Sequence, residues 1–389
     1  MRGSVVSSGV TAAGGAHQRA LWVSTSLQTR GGIATYVRDI RETSLWTDWN
    51  IRHVATHRDG SKWTKTVAFA AGTVSFAVEL VRFRPTLVHL HSSAGASFIR
   101  NAILLWMSRL AGVPVVLHMH GSDFQQFYER APRLLRAAIR ITLSRADAVV
   151  ALGEVWAAAL RATAPDARIV VIPNAVRPAR PVRQPGPGQP VRVVFLGRIG
   201  ERKGTFRLLR AWARLGIPAA TLTIAGDGAV EEARGMIREL GLQDSVGVSD
   251  WLSPDAVGEL LDRSHVLVLP SRNEGQPMAV LEAMARGLCI VASDVGGMGE
   301  MIGEGAAVIV SPDDVGSIAA GLRLAISDPE LRARCGAAAF GRVAERYDVR
   351  TVVRRLDSLY REVTASPAPV YAVAKRASRR EPLAVRRRL

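Results

Sequence analysis

Cysteine is nearly missing from this chain. Cys289 and Cys335 are the two present in 389 residues. Cys289 sits in the apolar run LCIVAS and Cys335 in an Ala-rich helical stretch. Both read as small buried residues, not as a disulfide, metal or catalytic pair. So little cysteine fits a reducing cytoplasm. No uncharged apolar run reaches the roughly 18 residues that a membrane span needs. The nearest, Val67 to Val81, is short and carries Glu79, so no span is expected. Residues 1–19 lack the apolar core of a signal peptide and read as a disordered leader. Zinc spacings, stacking-aromatic motifs and a basic recognition helix are all missing, which argues against a nucleic-acid binder despite the charge.

That charge is +17, unevenly spread. Residues 1–190 hold 23 Lys and Arg against 10 Asp and Glu. Residues 191–370 hold 21 against 23, and residues 371–389 hold 7 against 1. The basic first half and tail suit an anionic membrane surface or a phosphorylated substrate.

The length calls for more than one core. Twelve short apolar runs alternate with helical patterns, six in each half. The first six are Ala20–Ser24, Asn50–Ala55, Leu87–Leu90, Val113–His118, Ala148–Ala151 and Arg168–Ile172. The second six are Arg192–Leu196, Thr221–Ala225, Val246–Val248, Val266–Leu269, Cys289–Ala292 and Ala307–Val310. Such runs predict parallel sheets covered on both faces, hence an α/β chain of two doubly wound, Rossmann-like domains. The stretch PARPVRQPGPGQP, residues 178–190, holds five prolines and reads as the linker. The expected organisation is a leader at 1–19, a first domain at 20–177, the linker, and a second domain at 191–347. A C-terminal helix at 348–364 follows, and a basic disordered tail fills 365–389.

Ligands of open parallel sheets bind beyond the carboxyl ends of the strands. Four loops there carry unusual residues. Gly31-Gly32 follows the first strand and opens a helix, which suits an anion. His118-Met119-His120-Gly121 ends another strand, with His120 placed to meet a substrate hydroxyl in a cleft. Arg198 and Lys203 flank a turn in GRIGERKG and suit a diphosphate, Arg as a planar fork and Lys as a point charge. The spacing is not that of a P-loop. Gly226 marks a further tight turn. The fourth loop, SRNEGQPMAVLEAMARG, places Glu274 ahead of a helix that Pro277 starts, and Glu282 near its second turn. An acid/base pair is the rival reading of these two carboxylates.

At these residues the chain resembles the family-4 retaining glycosyltransferases of GT-B architecture, also called glycosyl transferases group 1. The Glu-x7-Glu signature runs from Glu274 to Glu282, and Gly-Gly-x-x-Glu ends at Glu300. Gly-Arg and Lys-Gly appear at Gly197-Arg198 and Lys203-Gly204. Pro173-Asn174, His120-Gly121 and Gly31-Gly32 complete the order. The resemblance implies transfer of a hexose-type sugar from a nucleotide-diphosphate sugar, with retention. It also makes 20–177 the acceptor-binding domain and 191–347 the nucleotide-sugar-binding domain, with the helix at 348–364 packing back on the first. In it, Arg198 and Lys203 neutralise the diphosphate, Glu274 bonds the donor sugar and Glu282 bonds the ribose. Gly275, Gln276 and Pro277 offer backbone amides, and His120 approaches the reacting carbon. Gly31 and Gly32 border the phosphate and acceptor pocket, while Asn174, Gly226 and Glu300 complete the substrate-binding set. No metal or cofactor is expected, in keeping with the lack of an Asp-x-Asp loop. At Gln276 many members carry Phe, so the motif leaves the donor sugar open.

The charge split points to a membrane-associated, lipid-linked glycan or glycolipid as acceptor, in envelope or exopolysaccharide synthesis on the inner face of the plasma membrane. The alternatives are a soluble glycosyltransferase on a small-molecule acceptor and a nucleotide-sugar epimerase on a similar scaffold.

Overall fold

The computed structural model describes residues 18–186, 188–216 and 220–365. Apart from their inner ends, the expected leader and basic tail lie outside the described residues.

Twelve strands form two six-stranded sheets, all pairs parallel. The first sheet holds β1 (Ala20–Thr25), β2 (Arg52–His57), β3 (Leu87–Ser92), β4 (Val115–Met119), β5 (Ala148–Ala151) and β6 (Ile169–Val171). Its order is β2-β1-β3-β4-β5-β6. The second holds β7 (Val191–Leu196), β8 (Ala220–Ala225), β9 (Val246–Ser249), β10 (Val266–Leu269), β11 (Cys289–Ala292) and β12 (Ala307–Ile309). Its order is β12-β11-β10-β7-β8-β9. The reversal of direction between β7 and β10 opens a crevice at their carboxyl ends. Every residue of β3, β4, β5, β10 and β11 is buried, as sheets covered on both faces require.

Helices cover both faces of the first sheet. On one face the helices Lys62–Arg82, Ala96–Leu110, Arg133–Arg145 and Glu154–Thr163 follow their strands in order. The other face is closed by the helix Gly32–Arg41 and, from the far end of the chain, by Val349–Ala365. Val352, Leu356 and Tyr360 of that last helix share a core with Trp22, Tyr36 and Trp49. Trp49 Nε1 donates to Asp357 Oδ1 at 2.8 Å.

The chain crosses between the two sheets twice, and the crossings lie side by side. Val176 N donates to the Tyr347 carbonyl at 2.9 Å, and Val349 N to the Val176 carbonyl at 3.0 Å. Residues past the first crossing follow the second domain: Val182 N donates to the Arg286 carbonyl at 2.8 Å.

Candidate active site

Loops from both sheets meet in the cleft. On the second domain, the loop after β7 passes over the loop after β8. A Cβ on Gly226 would stand 1.8 Å from the Gly197 carbonyl oxygen, so only glycine admits this crossing. The crossing fixes the turn that carries the two cations. Arg198 is exposed and forms no ion pair among the described residues. Lys203 points inward, its Nζ 2.5 Å from Glu274 Oε1. Burial pulls the Lys203 ammonium below its ordinary range, and the Glu274 carboxylate opposes that pull.

Glu274 is buried in the loop after β10. Main-chain bonds hold that loop: Arg272 N donates to the Arg202 carbonyl, and Gly297 N to that of Glu274. The helix beyond is Met278–Met284, one residue later than the expected start at Pro277, which caps it from outside. Glu282, on this helix, is half-buried and faces the first domain. Burial and the nearby Asp39 raise its carboxyl to about 7, against the pull of Arg286 and Arg38. Asp39 is itself raised to about 6 by burial. The helix Gly32–Arg41 thus brings a second carboxyl toward Glu282, which spacing alone did not announce.

Across the cleft, His120 stands at the end of β4. Its Nε2 lies 3.0 Å from His91 Nδ1, and its main-chain N donates to the Ser92 carbonyl at 2.7 Å. Burial pulls its imidazole down to about 3, with the Asn174 side chain opposing. His120 is therefore a neutral hydrogen-bonding group at physiological pH. Two further histidines extend the row: His89, His91, His118 and His120 line adjacent strands with His118 and His120 stacked at 4.1 Å. The imidazole nitrogens of His89, His91 and His118 come within 4.8 Å of one another. Both nitrogens of His89 already have protein partners, Nδ1 facing the Tyr360 hydroxyl and Nε2 lying 3.2 Å from His118 Nδ1. A pocket beside His120 is walled by Phe124, Leu152 and Trp156 and closed from the second domain by Gly275. Gly31-Gly32 lies between the domains: Gly32 packs toward Met278, and Arg30 reaches to 3.9 Å from Asp227.

Three expected substrate-binding residues bond across the domains. Gln276, expected to offer its backbone amide, is buried, and its side chain ties the domains together through Asn174, another of the three. Its Nε2 donates to the Leu152 carbonyl at 2.6 Å, its Oε1 accepts from Asn174 N at 2.9 Å, and its carbonyl accepts from Asn174 Nδ2 at 2.9 Å. Replacing Gln276 by leucine should cost about 1–3 kcal/mol, as buried partners lose their bonds, and urea unfolding measures it. Glu300 is the third. Its carboxylate accepts from Glu154 N at 2.9 Å and Val155 N at 3.2 Å, capping the helix Glu154–Thr163 of the opposite domain. A carboxylate suits that positive helix end, and the bonds leave Glu300 holding the domains rather than facing the cation turn. Neither latch has a local signal, because the partners lie more than a hundred residues away.

Residues 178–342 match the family described as glycosyl transferases group 1, and residues 14–175 match the glycosyl transferase 4-like domain. A 2-deoxystreptamine N-acetyl-D-glucosaminyltransferase of Streptomyces fradiae is 30% identical over 315 residues, covering 75% of this chain and 74% of the relative. A GDP-mannose:cellobiosyl-diphosphopolyprenol alpha-mannosyltransferase of Xanthomonas campestris is 31% identical, covering 74% of this chain and 77% of the relative. Among solved structures, the sucrose-phosphate synthase of Thermosynechococcus elongatus superposes with a TM-score of 0.74 at 19% identity, covering 90% of this chain and 99% of the other. Anabaena Alr3699/HepE in complex with UDP-glucose gives 0.68 at 18%, covering 89% and 100%.

Proposed function

The chain belongs to the group 1 glycosyl transferases of GT-B architecture, and we propose that it moves a hexose-type sugar from a nucleoside diphosphate to an acceptor hydroxyl with retention of configuration. The observation that carries this reading is the Lys203–Glu274 pair at the mouth of the cation turn, set opposite neutral His120. Arg198 and Lys203 meet the diphosphate, and fixed cations stabilise the charge that grows on a departing phosphate. Glu274 accepts hydrogen bonds from the donor sugar, and Glu282 from the ribose. Amides of Gly275 and Pro277's neighbours lie along the phosphates, and His120 bonds a hydroxyl near the reacting carbon. As the bond from that carbon to the diphosphate breaks, the acceptor oxygen bonds from the same face. Its proton passes to the departing phosphate oxygen. These cations do the work a metal would do, so the reaction proceeds without one.

The acceptor in this reading is a lipid-linked glycan, met at the inner face of the plasma membrane. Its support is the basic first domain and the mannosyltransferase relative whose name states a diphosphopolyprenol acceptor. A small hydroxylated acceptor is the second reading, favoured by the aminoglycoside-type relative.

Thermal shift with UDP, GDP and ADP finds the base. Transfer with the matching sugar nucleotide, in excess EDTA, then yields a product whose anomeric coupling is read by NMR. The expected product keeps the donor's configuration. An inverted product, an EDTA-silenced reaction, or conversion of the nucleotide sugar to its epimer without acceptor each refutes part of this reading.

A further inference from the structure

One layer of the first domain is unlike the rest of the surface. The helix Lys62–Arg82 is 21 residues long, yet only Gly72 and Phe76 of it are buried. Trp63 is 76% exposed, Val74 65% and Val81 72%. By length and composition it is apolar enough to cross a membrane, which the shorter run Val67 to Val81 did not suggest. Its attachment rules out that posture in the folded protein. A Cβ on Gly72 would lie 2.5 Å from the Ala55 carbonyl oxygen, so the helix backbone rests directly on β2. It is held flat, with its apolar side outward.

The neighbouring helices continue the surface. On Ala96–Leu110, Ile99, Ile103, Trp106 and Leu110 are exposed at steps of three and four, one stripe on the outward side. On Arg133–Arg145, Leu134 is 88% exposed. Trp106 Nε1 reaches Thr142 Oγ1 at 3.4 Å, so the stripe and this third helix are contiguous. Scattered apolar residues are ordinary on a soluble surface, whereas a continuous apolar face marks a partner.

Charge identifies that partner. The three helices carry nine Lys and Arg and a single acid, Glu79. Glu79 is already paired with Arg52 at 2.9 Å. Apolar side chains amid cations, on helices lying in one plane, match an interfacial layer on an anionic bilayer. We propose that this three-helix face seats the protein on anionic phospholipid, with the apolar side chains in the acyl boundary and the cations among the headgroups. Each helix starts at the carboxyl end of a strand, so Trp63, Ile99 and Leu134 stand at the cleft side. The same seating therefore presents the cleft to the membrane plane. It deepens the lipid-linked acceptor reading but stands on other residues, and it is tested without turnover.

Full-length protein is sedimented with phosphatidylcholine vesicles, with and without about a third phosphatidylglycerol. Wild type should bind the anionic vesicles and be weakened about tenfold by added salt. The variant W63S/V74S/L110S/L134S should bind about tenfold or more weakly, with an unchanged melting midpoint and unchanged transfer to a water-soluble acceptor analogue. Lys62→Glu with Lys65→Glu and Arg140→Glu should weaken it similarly. The proposal is overturned if wild type ignores anionic vesicles or binds neutral ones as well. It is overturned equally if the serine variant binds undiminished, which would move the contact to the basic tail. Wild type sedimenting as a dimer that the serine variant splits would assign the face to a second copy instead. Loss of transfer in every protein with vesicle binding intact would count against the catalytic reading alone.

Discussion

Replacing Lys203 by methionine is expected to cut kcat by about a hundred- to a thousandfold, with a far smaller loss of nucleotide affinity. The ammonium is a compact charge on a flexible stem. In the free protein it is neutralised by Glu274 at 2.5 Å. In the proposed reading, donor hydroxyls take up that carboxylate and the ammonium turns to the diphosphate, whose charge peaks as the sugar leaves. An interaction that grows toward the transition state shows in kcat rather than KM. Methionine keeps most of the stem and removes the charge. It also strands the buried Glu274, so folding stability should fall by about 3–5 kcal/mol, and rates must be read below the lowered midpoint. The double variant K203M/E274Q removes that strain and should regain stability without regaining turnover. A Lys203→Met enzyme within about threefold of wild-type kcat would end the assignment.

Glu282→Gln should do something rarer, stabilising the protein while disabling it. Burial holds the Glu282 carboxyl near 7 in the folded chain, whereas its ordinary value is 4.5. Between those values the folded state keeps a proton that the unfolded state has lost. Folding stability therefore falls as pH rises through that window, and the full penalty stands above it. Glutamine needs no ionisation. The variant should gain about 2–3 kcal/mol at pH near 8, and the gain should vanish at pH near 4. Asp39→Asn, removing the neighbouring carboxyl, should lower the Glu282 value and shift the midpoint of this pH profile downward. At pH near 8 the Glu282 carboxylate is ionised, and in the proposed reading it accepts from ribose hydroxyls. Its loss should weaken nucleotide binding by about tenfold or more. Urea unfolding across pH and calorimetry with the matching nucleotide measure the two halves. A variant less stable at high pH would contradict the buried carboxyl; unchanged affinity would contradict the ribose contact.

The sheet architecture was readable because parallel strands announce themselves locally. Val266–Leu269, Cys289–Ala292 and Ala148–Ala151 are short, unbroken apolar runs, and their ends match the structure. Edge strands were less sharp: β2 begins at Arg52 rather than Asn50 and runs to His57, because one side of it meets only a helix. Among site residues, Lys203 and Glu274 were placed on two loops at the carboxyl ends of the strands, but their contact was not expected, since spacing along the chain says nothing of a pair 71 residues apart. The ties that the Gln276 and Glu300 side chains make between the domains were missed for the same reason. A motif loop shows where a backbone amide could meet a phosphate, but not that Leu152 and Asn174 stand beside the Gln276 side chain. His89 and His91 carried a signal that was passed over: two histidines at alternate positions of one strand face the same way, as do His118 and His120. The three-helix face was hidden differently. Its apolar residues recur at helical spacing, which normally denotes a core.

The last helix also sets the order in which the molecule is completed. Trp22, Tyr36 and Trp49 are buried partly by Val352, Leu356 and Tyr360, some three hundred residues later in the chain. Synthesis at about 5–20 residues per second leaves the first sheet finished but open on that side for roughly ten to forty seconds. The second domain is made and can fold in that interval. The half that begins first is thus sealed last, and a ribosome-bound chain halted anywhere before the final helix should present those aromatics to chaperones.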